Sequence, residues 1–179
     1  MHGPTASHQS QSADHAGLLH RASRVLPGWR PRRRPVEAVP RAEQLHALLA
    51  LLDEGIAAQP SADRAVAACG EPGPVSGAVT QTAGELISVY RRLNVRLSRL
   101  SVDDDLDPLK QYAARLLTYH QWLLHEAVNL ACAAVQKDPR VDAVRRRLHG
   151  IGRPGDELRA VRDRVDALAA DVDEQEKHA

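Results

Sequence analysis

Between Asp107 and Val135, Leu109, Ala113, Leu116, His120, Leu123, Ala127, Leu130 and Ala134 recur at alternating steps of four and three. That spacing predicts a long α-helix with one apolar stripe. Leu117, Leu124 and Ala131 widen the stripe beyond a two-stranded seam, so the helix is expected to face a packed interior. Asp107 is placed to cap its first turn, and Pro108 to occupy the first helical position, where no donor is lost.

The same four-three alternation runs through Val79, Ala83, Leu86, Tyr90, Leu93, Leu97 and Leu100, predicting a helix from about Ala78 to Leu100. The acidic connection SVDDDLD between the two long helices is short, so they are expected to pack antiparallel as a hairpin. Upstream, Leu45, Leu48, Leu49, Leu52 and Ile56 line one face of a helix from Arg41 to about Ala58, with Gly55 and Pro60 marking its end. A weak helical piece, Asp63 to Cys69, precedes the loop GEPGPVSG. Downstream, Val141, Val144 and Leu148 give a narrow edge to a short helix from Arg140 to His149. Leu158, Val161, Val165, Leu168 and Val172 mark a last helix from about Gly155 to Asp173, after which DEQEKHA is expected to fray.

The fold class that buries all these stripes is all-α: a four-helix bundle with one or two short extra helices. Residues 41 to 175 form this domain, and 176 to 179 are a tail. Residues 1 to 40 show no period, and prolines at 27, 31, 35 and 40 forbid a continuous helix, so a disordered Pro/Arg-rich arm is expected there.

Composition sharpens this picture. The chain has 179 residues, enough for one domain with trailing sequence. It has no Phe, 2 Trp and 3 Tyr, so Leu, Val and Ala must fill the interior, which favours close helix packing over a sheet core. A formal net charge of +1 excludes a globally polyanion-binding chain, although six Arg in residues 1 to 40 face only Asp14 and Glu37. Cys69 and Cys132 show no ligand spacing and read as core thiols. The N-terminus lacks a signal-peptide apolar stretch, and no uncharged apolar run reaches bilayer length, so a cytoplasmic protein without membrane contact is expected.

Candidate chemistry falls in two places. His120 occupies a core position beside Tyr119 and Trp122, and with Tyr90 these residues define a candidate pocket for a metal or small molecule. The other residue types able to join a metal are His46, Glu85, His125 and Glu126, but only Glu43 to His46 has the Glu-x-x-His spacing of di-iron bundles. A structural histidine is therefore the favoured reading, with no metal or cofactor expected. The second place is basic. Trp29, Arg30, Arg32, Arg33 and Arg34 in the arm, with Arg145, Arg146 and Arg147 near the last turn, combine guanidinium groups with an aromatic ring and suit phosphates or an acidic partner. Asp103, Asp104, Asp105 and Asp107 lack the D-x-D-x-D-G pattern of a calcium loop and read as helix capping. No P-loop, GxGxxG or GxSxG elbow is present.

The series LLTYHQWLLHEAVNLACAAV, RRRLHGIGRPG and ELRAVRDRVDALAADVDE, within Pro108 to Glu174, resembles a family of small helical actinobacterial proteins associated with natural-product biosynthesis. The resemblance rests on a Leu-Leu-x-Tyr helix, an Arg-Arg-Leu-His element, a Pro-Gly break and a closing helix. It implies an accessory or regulatory role near a biosynthetic pathway and brings no catalytic residues.

Three functional readings follow. The leading one is a non-enzymatic interaction or accessory protein with a protein partner or a second copy, because a stripe left over after intramolecular packing needs cover. The others are a small-molecule or metal-binding bundle, enzymatic or not, centred on His120, and a nucleic-acid-binding protein using the basic arm.

Overall fold

The computed structural model describes residues 39–133 and 139–178. The predicted arm therefore lies outside the described residues apart from Val39 and Pro40. Five helices follow in order: α1 (Arg41–Gly70), α2 (Gly77–Arg99), α3 (Asp107–Ala133), α4 (Pro139–Arg145) and α5 (Arg153–His178). Among the described residues the fold is all-α, without a strand.

α1 and α3 touch each other, and each also packs on both α2 and α5. The four long helices thus form a bundle in which α1 and α3 span the short diagonal and α2 and α5 stand at opposite corners. Gly55 makes the short diagonal fit. A Cβ at this position would come within 2.9 Å of Leu117 Cδ2 on α3, so any larger residue would require the Leu117 side chain to shift. Leu45, Leu48, Leu52, Leu93, Leu97, Leu117, Leu124 and Leu158 fill the core, and all are essentially inaccessible.

α2 and α3 match their predicted spans, and Ala83, Leu86, Tyr90, Leu93 and Leu97 are buried as the stripe requires. Ser76 Oγ caps α2 by accepting from the Val79 amide at 3.3 Å. Asp107 sits inside the first turn of α3, where its carboxylate receives Lys110 Nζ at 2.9 Å and Gln111 Nε2 at 2.5 Å.

α1 departs from the expectation. It does not end near Pro60 but continues to Gly70, merging the two predicted pieces. An interior proline costs about 3 kcal/mol through its lost amide and ring clash. Here Pro60 lies on the exposed face, while Ala62, Ala65, Val66 and Cys69 continue the buried stripe beyond it. Burial on both sides outweighs the local break. α5 likewise runs on to His178, so the frayed tail is helical as far as that residue. α4 is shorter than expected. Its Val144 is half exposed, and Arg145 takes the inward position instead.

The two ends of the bundle are held by polar ties. At one end Gln44 is buried: its Nε2 donates to the Val39 carbonyl at 2.8 Å and to Asp103 Oδ1 at 3.1 Å, while its Oε1 accepts from the Asp103 amide at 2.7 Å. Arg41 adds a bidentate pair to Asp105 at 3.0 and 2.7 Å. The aspartate run between α2 and α3 is thus a fastening to α1. At the other end, Gly150 adopts φ +132° and brings Asp63 Oδ1 to the Ile151 amide at 2.6 Å.

Candidate functional site

His120 projects from the inward side of α3 and is fully buried. Its Nδ1 lies 2.6 Å from the Leu116 carbonyl one turn earlier, and its Nε2 lies 3.2 Å from Gln59 Nε2 on α1. A carbonyl can only accept, so Nδ1 carries the proton and Nε2 accepts from the Gln59 amide. The second hydrogen of that amide goes to the Gly155 carbonyl at the start of α5, at 3.1 Å. One histidine and one glutamine therefore tie α1, α3 and α5 together. The Tyr90 ring of α2 completes the cluster, with centroids 5.2 Å apart, and its hydroxyl donates to the Gly55 carbonyl at 3.4 Å. Gln59 Oε1 is buried without a hydrogen-bond partner among the described residues.

The electrostatics follow from burial. Desolvation pushes the His120 pKa below its ordinary value, outweighing the Leu116 carbonyl and the more distant Asp63, which act upward. It also pushes the Tyr90 phenol well above its ordinary range. The result is a neutral imidazole and a neutral phenol in a buried interior, suited to holding helices in register. A general base must reach its substrate's proton, and His120 has no exposed surface from which to do so.

Of the four residues of the predicted pocket, His120 and Tyr90 come together, and Tyr119 and Trp122 do not join them. Tyr119 and Trp122 are 38% and 53% exposed, their rings tilted against each other with centroids 5.6 Å apart on the outer side of α3. The reason is helical geometry: at about 100° per residue, positions one before and two after His120 lie about 100° and 160° away from it. Sequence neighbours become opposite faces. The residues considered as metal partners are equally dispersed. His46 is exposed and lies 3.8 Å from Asp173, Glu85 accepts from Gln81 on the outside of α2, and His125 contacts Asn129 on the outside of α3. Among the described residues no three His, Cys, Asp or Glu side chains converge as a metal-binding group.

The second basic cluster is also divided. Arg145 is 3% exposed, its Nε donating to the Cys69 carbonyl and its Nη2 to the Gly73 carbonyl at 2.8 Å. These are end carbonyls of α1 and its following turn, which lack helical donors. Arg145 is therefore a buried cap for α1 and not a contact residue. Arg146 and Arg147 are exposed. Trp29, Arg30, Arg32, Arg33 and Arg34 lie outside the described residues. Of the two thiols read as core residues, Cys69 is buried and Cys132 is exposed.

Gln59 escapes the sequence reading because Pro60 suggests too early an end for α1. The signal is present, since Gln59 follows Leu52 by seven residues and falls on the same stripe. No family model, curated protein or solved structure matches the chain.

Proposed function

We propose that this protein is a non-catalytic helical interaction protein whose principal contact surface is the outer side of α3 around Tyr119 and Trp122. One observation carries the reading. The chain has five Trp and Tyr residues in total, and two of them lie tilted against each other, 38% and 53% exposed, while core space is filled with leucine. Exposed large aromatics cost solvation without contributing to the fold, and Trp and Tyr anchor protein interfaces because they bury much area for little side-chain entropy. Arg115, Thr118 and His125 surround the pair on the exposed face and supply a polar rim.

The partner is a protein with an apolar depression able to receive the indole. A cytoplasmic setting, and an accessory or regulatory place beside a biosynthetic pathway, belong to the same proposal. The first is supported by two free cysteines, the second only by the resemblance of the C-terminal helices. None of the described helices is long and apolar enough to cross a membrane.

The test is affinity capture by the tagged full-length protein from a nuclease-treated native lysate, run beside Trp122→Ala. The expected result is a protein retained in stoichiometric amount by wild type and depleted at least tenfold by the variant, since a hot-spot aromatic contributes about 2 kcal/mol or more. Equal capture by both proteins, with unchanged helicity, removes the surface from consideration.

A further inference from the structure

The outward side of α2 carries one sign of charge. Arg91, Arg92, Arg96 and Arg99 lie there, all exposed, with Val95 between them at 42% exposure and Ser88 one turn earlier. Glu85 is the single acid on the helix, and it is engaged with Gln81. Arg96 is paired with Glu54, whereas Arg91, Arg92 and Arg99 make no ion pair or hydrogen bond among the described residues. Like charges one turn apart, as at Arg92 and Arg96, repel, and within the fold the Glu54 pair and the C-terminal end of the helix offset this only at Arg96 and Arg99.

Its complement stands at the opposite corner of the bundle. Asp163, Ala167 and Asp171 are exposed on α5 at steps of four, with Arg164, Ala170 and Glu174 alongside, and Asp163 lies 3.5 Å from Arg162 of its own helix. Arg91, Val95 and Arg99 repeat the same steps on α2. In each helix two charges of one sign are about 12 Å apart along the axis, with an apolar side chain midway between them. Asp171 and Glu174 enter no ion pair among the described residues, and they line a shallow cleft with Gln175 and His178. Because α2 and α5 stand at opposite corners, these faces meet only between molecules.

We propose that the outward face of α2 docks on the outward face of α5 in a second copy of this chain, Arg91 and Arg99 opposite Asp163 and Asp171, with Val95 against Ala167. The small Ala167 and Ala170 side chains allow the close approach that such helix pairing needs. The segment of residues 1 to 40 carries a net positive charge of the same sign as the α2 face, which disfavours it as the occupant. A nucleic acid suits the face less well, because it offers no aromatic ring for base stacking and places an apolar residue at its centre. The contact is head-to-tail, so it closes into a ring or continues as a chain. Exposed charge pairs dominate it, so it is weak, concentration-dependent and sensitive to salt.

Sedimentation velocity of the full-length protein over a hundredfold concentration range tests this. At low ionic strength the weight-average mass rises with concentration, and it falls back to the monomer in about 1 M salt, where the screening length is about 3 Å. The doubly reversed variants Arg91→Glu/Arg99→Glu and Asp163→Arg/Asp171→Arg, each checked for helicity by circular dichroism, remain monomeric alone because their faces repel. Mixed in equal amounts they associate again, since each supplies the sign the other lost. The Trp122→Ala variant associates as wild type does, which separates this contact from the aromatic surface of α3. A wild-type chain monomeric throughout, reversed variants that still associate, or a mixture that stays monomeric overturns the proposal. So does a monomeric chain whose α2 face instead captures added duplex DNA, with capture lost in Arg91→Glu/Arg99→Glu.

Discussion

His120 shows how a single buried side chain couples the fold to proton concentration. Folded, it is neutral, with its Nε2 accepting from Gln59, and its pKa lies below the ordinary value because burial penalises the charged ring. Unfolded, it regains a pKa near 6.5. Between those values the unfolded chain binds a proton that the folded chain does not, so stability rises with pH across that window. The stabilisation is complete above about pH 6.5 and is lost progressively as the pH falls toward the folded pKa. Protonation would also set an N–H of the ring against the Gln59 amide. Urea denaturation at pH 7 and pH 5 is expected to show a lower midpoint at pH 5. His120→Gln flattens that difference, while costing about 1 to 3 kcal/mol at pH 7 through disturbed buried hydrogen bonds. An unchanged slope with pH in the variant would place the titration elsewhere. The buried position of His120 was legible from the stripe. Its hydrogen-bond partner Gln59 was not, because it stands 61 positions away and only packing brings the two together.

At the scale of the element, α1 marks the limit of local reading. Gly55 and Pro60 are breakers by propensity, yet the helix runs through both because each serves or tolerates the packing around it. Gly55 admits Leu117, and Pro60 turns to solvent. α2 and α3 contain no such conflict between local signal and burial, and their predicted spans match closely. Glycines sort by the same logic. Gly84 lies on the exposed face of α2, and a Cβ added there would have nothing within 4 Å, so Gly84→Ala is expected to stabilise by about 1 kcal/mol through helix propensity alone. Gly70 ends α1 with the Leu148 carbonyl 2.5 Å from where a Cβ would stand. Backbone cannot yield as a side chain does, so Gly70→Ala is expected to destabilise by about 1 to 3 kcal/mol despite the same gain in propensity. Paired thermal melts of the two variants should move in opposite directions.

Across the whole molecule, leucines fill the middle of the bundle around the buried His120–Gln59 tie while polar groups fasten its two ends, and the fastening at the ends decides what each arginine does. Arg41 grips the α2–α3 connection at one end, Arg145 caps α1 at the other, and Arg91, Arg92 and Arg99 hold nothing within the described fold. Sequence alone groups Arg145 with Arg146 and Arg147 as one basic cluster, although helix periodicity already sets Arg145 beside the apolar edge and turns the other two outward. It passes over the α2 arginines because they are spread over a helix and not clustered. The distinction predicts different consequences. Arg145→Met keeps the unbranched apolar stem of the side chain but strands the Cys69 and Gly73 carbonyls, at about 1.5 to 3 kcal/mol per hydrogen bond to a charged group. That loss is local, because α4 packs on the rest of the bundle mainly through α3 and the Arg145 tie itself. Hydrogen exchange should therefore quicken at residues 66–73 and 139–148 while the α2–α3 hairpin keeps its protection. Uniformly faster exchange would mean that the α1 cap is integral to global unfolding. Unchanged exchange would mean that Arg145 contributes nothing to the fold, leaving it free to act as the contact residue its sequence neighbourhood suggested.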